Sequence, residues 1–302
     1  MKKKVVFLLL VFLFSFYCHA SEDIEIPLIY NKNDSFIMIG ETVVPTPKGP
    51  TGGYSIAFDA KQKKLWFQYA EKNISTFICV NTNGQTEDTF TIDFGNRSLI
   101  NGRFFVYDNK ALICDLTKEF MRLIVDLETK EYQSIDISKM RYKEISCYYD
   151  NKIFFFSESV EKSVMYFDCL TGEIFYAETD LQGYGFMPLV NAYVGLNKKG
   201  KIVIQKFDTG EIIETNISGI KGRPLGKVND RYYMTEKYLY FSKKDRGYSF
   251  THGIQLFLGK FLYDLGKAPI PHKWYRYSLE TGEIEKIKTD YPFINLLGVV
   301  EE

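Results

Sequence analysis

Acid/base, nucleophilic and metal chemistry all need polar groups at fixed spacing, and here such groups are few and scattered. The chain holds three histidines, His19, His252 and His272, and none stands in the H-E-x-x-H or H-x-H spacing that sets two imidazoles on one metal. No G-x-S-x-G places a serine on a strained turn. The Pro/Gly stretch 45–53 lacks G-x-x-x-x-G-K-[ST] and runs into the strand-like residues 54–58, so it reads as a connection and not as a phosphate loop. His252, between Thr251 and Gly253, keeps an acid/base role open, and 38 acidic residues leave room for carboxylate pairs. What the chain offers in quantity is Arg and aromatic side chains in Gly- and Pro-rich stretches: Arg97, Tyr184, Phe186, Arg223, Arg246, Tyr248 and Trp274. Rings bring large rigid area and guanidinium groups bring directional donors, the combination that recognition surfaces use. With His252 these residues form the candidate ligand-binding set; no catalytic residue is assigned.

The composition narrows the classes. Among 302 residues, 25 Phe and 22 Tyr can build a large core, which a disordered chain lacks. Equal counts of 38 basic and 38 acidic residues give no net charge with which to release counterions from nucleic-acid phosphates. Five Cys are too sparse for a disulfide scaffold. Cys79, Cys114, Cys147 and Cys169 lie in or beside apolar runs, so small buried hydrophobes are the expected role, with disulfide pairing the alternative.

The first 20 residues read as a secretory signal. Lys2, Lys3 and Lys4 precede the apolar stretch 5–17, and Cys18-His19-Ala20 suits cleavage after Ala20. Thirteen residues make a helix of about 20 Å, too short for a hydrocarbon core of about 30 Å. Lipid attachment at Cys18 would need small residues before it, and Phe16-Tyr17 are bulky. No later stretch suggests a second span. The expected division is a signal over 1–20 and one domain over 21–302, exported to the periplasm or cell exterior.

The body of the chain repeats one phrase: an apolar strand, a polar turn ending near Gly, a second strand. It occurs at Asn81-Thr82-Asn83-Gly84, Asp126-Leu127-Glu128-Thr129-Lys130, Asp168-Cys169-Leu170-Thr171-Gly172, Asp208-Thr209-Gly210 and Leu279-Glu280-Thr281-Gly282. Asp, Asn and Thr side chains bond nearby amides and Gly supplies positive φ, so each copy reads as a hairpin turn. An earlier turn, Asp108-Asn109-Lys110 or Asp150-Asn151-Lys152, precedes two of them by 22 residues, with looser copies at Asp59-Ala60-Lys61 and Asn229-Asp230-Arg231. Two hairpins in about 40 residues make four antiparallel strands, the blade of a β-propeller. The fold expected is therefore all-β, a single propeller of four-stranded antiparallel blades.

The D-x-x-T-G-E turn resembles that of exported bacterial β-propeller proteins, including six-bladed families in which a signal precedes some 280 residues of propeller. The resemblance covers most of 21–302. There is no Trp-Asp dipeptide at blade ends and no kelch double glycine. Five blades close near residues 93, 139, 181, 219 and 290, and segments 35–44 and 293–300 pair as a sixth, which removes exposed edges. The 72 residues between Gly210 and Gly282 read as one blade with an insertion, because 246–271 contains no clear T-G turn, so six blades are expected; two short blades, giving seven, are the alternative. In such a ring the tight turns share one face and the long connections the other. The expected function is non-catalytic binding outside the cytoplasm, through the loop face, of a glycan, peptide or protein at the envelope, by a monomer. The alternative is a hydrolase or lyase acting on a sugar or lactone. No cofactor is expected; calcium in the channel has no D-x-[DN]-x-[DN]-G loop behind it.

Overall fold

A computed structural model of the chain describes residues 23–33, 36–47, 53–95, 104–114, 121–140, 145–155, 163–178, 181–218, 232–244, 272–289 and 295–300. Among the described residues, twenty-four strands fall into six sheets of four. The chain begins with β1 (Leu28–Asn33), β2 (Phe36–Ile39) and β3 (Thr42–Pro45). Blade 2 follows as β4 (Ser55–Asp59), β5 (Lys64–Glu71), β6 (Ile74–Asn81) and β7 (Thr86–Asp93). Blade 3 is β8 (Phe104–Tyr107), β9 (Lys110–Cys114), β10 (Met121–Asp126) and β11 (Tyr132–Asp136). Blade 4 is β12 (Ile145–Tyr149), β13 (Lys152–Phe155), β14 (Ser163–Asp168) and β15 (Ile174–Glu178). Blade 5 is β16 (Gln182–Met187), β17 (Ala192–Leu196), β18 (Lys201–Lys206) and β19 (Ile212–Ser218). Blade 6 is β20 (Tyr232–Met234), β21 (Tyr238–Lys244), β22 (His272–Ser278) and β23 (Ile284–Lys286). The last strand, β24 (Asn295–Val299), returns to pair with β1, so blade 1 runs β24-β1-β2-β3 and closes a six-bladed ring.

Six blades, not seven, is the outcome: among the described residues the 72-residue interval holds one blade, with residues 245–271 joining β21 to β22. The closing blade gains a strand that sequence reading placed outside it, since β1 precedes residue 35.

Each blade is buried on both faces by its neighbours, which explains why inner strands read as continuous apolar runs. All five residues of β17 are buried, whereas outer β7 alternates and shows mostly Thr, Glu and Asp to solvent. The core is accordingly divided into six clusters, one at each blade–blade interface. Between blades 4 and 5, Phe154 stacks on Phe186 with centroids 3.9 Å apart and planes at 3°, while Tyr193 and Phe207 meet that pair edge-on. Cys79 and Cys147 are buried within these interfaces, and Cys79, Cys147 and Cys169 are unpaired thiols. Burial pushes the Cys79 thiol up to about 11 and Cys169 up to about 12, so both stay protonated.

The repeated turn closes by a repeated hydrogen-bond set. In blade 4 the Asp168 carboxylate accepts the amides of Leu170 and Thr171, the Thr171 hydroxyl accepts the amide of Glu173, and Gly172, at φ 70°, donates to the Asp168 carbonyl. Blade 3 copies it with Asp126, Thr129 and Lys130, and Lys130 takes the left-handed conformation without being glycine. The earlier turn is tied to this one: the amides of Leu127, Cys169, Phe207 and Leu279 donate to the carbonyls of Asn109, Asn151, Asn191 and Lys237. Two of these first turns differ from the expected copies. In blade 5 the turn is Pro188–Val190 followed by left-handed Asn191, and in blade 6 it is Thr235-Glu236-Lys237. Asn229-Asp230-Arg231, expected to be the blade 6 turn, precedes β20 and lies outside the described residues.

Candidate functional site

A propeller has one place where all blades meet, and here that place is a cavity of about 250 Å³ on the ring axis. Its walls are the first strands of the blades: β4 lies against β8, β8 against β12, β12 against β16, β20 against β24 and β24 against β4. Phe58, Phe105, Cys147, Met187, Tyr233 and Leu297 supply one lining residue from each of the six. A close approach keeps the wall narrow between β24 and β4. A Cβ on Gly298 would stand 2.2 Å from the Phe58 ring, so only glycine lets that ring lie flat there.

Among the described residues the lining carries no charged side chain. Its hydroxyls are phenols, and burial pushes the Tyr107 phenol up to about 12, with Tyr149 and then Asp108 adding to the effect. Tyr148 is raised further by burial, and its hydroxyl donates to the Asn151 side-chain oxygen at 3.3 Å. Burial likewise holds the Cys147 thiol far above its usual range. Charge begins where the strands turn. Asp108 accepts hydrogen bonds from Lys61 Nζ at 2.6 Å and Gln62 Nε2 at 2.8 Å, and the first of these does most to hold its carboxyl below the usual value. Next to it, fully buried Asp59 accepts the amides of Lys61 and Gln62 and reaches across to the amide of Asn109 at 2.8 Å, stitching blade 2 to blade 3. Tyr107 and Tyr149 pack at 4.8 Å, and Tyr149 meets Phe186 at 5.3 Å, so one aromatic row runs along three successive inner strands.

A second cavity, about 490 Å³, lies at the closing seam and mixes charge of both signs, Glu25, Glu41 and Lys288. Its lysine is already paired with Glu25 at 2.6 Å. Among the described residues no group of three His, Cys, Asp or Glu side chains gathers to hold a metal ion.

The eight expected contact residues separate into three sets. Arg97, Arg223, Arg246, Tyr248 and His252 lie outside the described residues. Tyr184 sits in β16, where pairing with β17 is irregular between Gln182 and Gly185, and its side chain is not among those described. Phe186 and Trp274 are strand residues at 1% exposure, one in the blade 4–5 interface and one at the closing seam. Neither ring is on a loop. Gly183 and Gly185 give β16 the look of a connection, and Pro271-His272-Lys273 does the same before Trp274, but tertiary packing draws both stretches into strands. The cavity residues went unnoticed in the sequence, although a signal for them exists: the apolar residues leading into each Asp-Asn turn, Phe105 and Tyr107 before Asp108 or Cys147 and Tyr148 before Asp150, are the inner strands.

No protein-family model matches the chain, and no curated protein does. Solved structures share its shape. TolB from Acinetobacter baumannii is 12% identical with a TM-score of 0.49, over 89% of this chain and 64% of TolB. A chain of the nidogen/laminin complex is 9% identical with a TM-score of 0.47, over 90% and 96%. The WD40 domain of Pan2 from Neurospora crassa is 13% identical with a TM-score of 0.40, over 83% and 69%. This chain spans less than two thirds of TolB's length. At these identities the likeness is one of fold, and the blade count rests on the chain's own sheets.

Proposed function

We propose that this protein is a non-catalytic binding protein acting outside the cytoplasm, and that it engages a glycan, peptide or protein through one loop face of the propeller. The observation that carries the reading is the division of the connections between the two ends of the ring. In blades 3, 4, 5 and 6 the first and last turns are short and hydrogen-bonded to one another, as Asn151 is to Cys169. The strand ends pointing the other way include those of β7, β19 and β21, and the sequence that follows them, 94–103, 219–231 and 245–271, contains Arg97, Arg223, Arg246, Tyr248 and His252. Variable connections held by a rigid scaffold are where recognition concentrates. The neutral wall of the axial cavity supports binding over hydrolysis, because acid/base chemistry at the channel would need a carboxylate or imidazole in the lining.

Export rests on the pattern of residues 1–20; no described helix is long and apolar enough to cross a membrane. The partner is sought by capture on immobilised protein, residues 21–302, with glycan arrays and envelope extract. Arg246→Ala with Tyr248→Ala is expected to weaken capture at least about tenfold while leaving the thermal midpoint unchanged, as for contact residues at a recognition surface. Turnover of a lactone or glycoside by the purified protein would overturn the reading. Retention of residues 1–20 by cells expressing the full chain would overturn the export assignment.

A further inference from the structure

We propose that the axial cavity is itself a binding site, for one small, uncharged, ring-bearing apolar compound, separate from the loop face. Three observations carry this. First, all six inner strands contribute to one cavity, so its shape is set by ring closure and not by a single mobile side chain. Second, carbon makes up the larger share of the wall, and several of its side chains remain half-buried: Phe58, Phe105, Tyr107, Leu189, Tyr233 and Leu297. Water held against the apolar side chains has no polar partner on that side, so an apolar ring seated there gains by displacing it. Third, three titratable groups of the lining, the phenols of Tyr107 and Tyr148 and the thiol of Cys147, are kept in their neutral forms by burial. Nothing there compensates the lost hydration of an ion, so a charged ligand is disfavoured.

Size sets the rest of the class. Drug-sized ligands occupy pockets of roughly 300–1,000 Å³, and 250 Å³ falls just below that range. A peptide or an oligosaccharide does not fit within it; one or two fused rings do. Flat rings also match the wall, where Tyr107 and Phe186 each pack against the Tyr149 ring behind them. Phenol hydroxyls at Tyr107 and Tyr233 allow one polar substituent on the ring without requiring it.

The test uses a neutral fluorescent probe, N-phenyl-1-naphthylamine, titrated into the full mature chain. Saturable enhancement at one probe per chain is the expected result. Leu189→Trp and, independently, Ala60→Phe add bulk to two lining positions beside strand ends. Whichever variant keeps the parent's circular dichroism and midpoint is expected to bind the probe at least about tenfold more weakly, because the added ring occupies the space. The sulfonated analogue, 8-anilino-1-naphthalenesulfonate, is expected to bind the parent at least about tenfold more weakly than the neutral probe. Absence of saturable binding, several probes per chain, unchanged affinity in folded filled variants, or equal affinity for the sulfonate would each overturn the proposal. Loss of the loop-face partner in Arg246→Ala with Tyr248→Ala leaves this titration unaffected, so the two sites fail separately.

Discussion

The interface between blades 4 and 5 and the seam where the ring closes meet the same demand with different materials. Blades 4 and 5 are neighbours in sequence, and their interface is aromatic: Phe154 on Phe186, with Tyr193, Phe207 and Tyr166 around them and Phe175 stacked on Tyr166. The closing seam joins chain ends, with ion pairs that span 263 positions. There Trp274, Tyr240, Leu28 and Leu296 supply the packing, and backbone bonds are added to it. The Ile24 amide donates to the Lys286 carbonyl, the Lys288 amide returns to the Ile24 carbonyl, and the Val300 amide donates to the Pro27 carbonyl. Lys286 pairs with Asp23 and Lys288 with Glu25, so the segment before β1 straps the outer edge of blade 6 to blade 1. The interface between blades 4 and 5 forms after a short chain closure and rests on ring packing; the last closure carries the largest loop entropy and is held by strand pairing as well.

That contrast can be broken from either side. Removing the chain from residue 295 onward deletes β24, which leaves the inner edge of β1 unpaired and opens the ring. The expected outcome is loss of a single cooperative transition in calorimetry, a larger effect than any point substitution. Phe154→Ala and Trp274→Ala each remove a fully buried ring from one of the two interfaces, at an expected cost of about 3–5 kcal/mol in denaturant titration. Equal costs would show that the seam depends on packing as much as the local interface does. A smaller cost for Trp274→Ala would show the strap sharing the burden. Gly172→Ala forces a Cβ into a residue at φ 70° with open space around it, so the cost is backbone strain alone, about 1 kcal/mol, read from the same titration.

The smallest effect is a pH dependence. Burial opposes ionisation of Asp168, but the amides of Thr171 and Leu170 outweigh it and hold the folded carboxyl below its ordinary value. A depressed folded value adds stability that is fully present above the unfolded value near 4 and is lost as pH falls through the folded one. Asp168→Asn is therefore expected to flatten part of the fall in thermal midpoint on the acid side while leaving the neutral-pH slope unchanged. An unchanged acid limb would show that the turn carboxylate takes no part in acid unfolding.

Much of the ring was legible because its turns are local chemistry. Asp168, Thr171 and Gly172 form their bonds within six residues, so the phrase marks the outer hairpin of a blade wherever it occurs. Pro188 and Asn191 make an equivalent inner turn from different residues, so blade 5 carries no Asp-Asn-Lys copy. Glycine, proline and charged neighbours give the stretches around Phe186 and Trp274 the local character of loops, and it is the adjacent blades that draw them into strands. The axial cavity left no periodic trace. An inner strand is buried on both faces by its neighbouring blades, so alternation reports the interfaces, while the axis lies along the strand's free edge.

The amino-acid sequence by itself determined the strand-turn-strand unit, its repetition and the need for two ends to meet, since each depends on hydrogen bonds and burial patterns a few residues long. Only the tertiary structure decided that one blade fills the long interval, that the segment before β1 straps the seam, and that six inner strands line one axial cavity. Those features depend on contacts between residues far apart in the chain, and no local preference encodes where a ring closes.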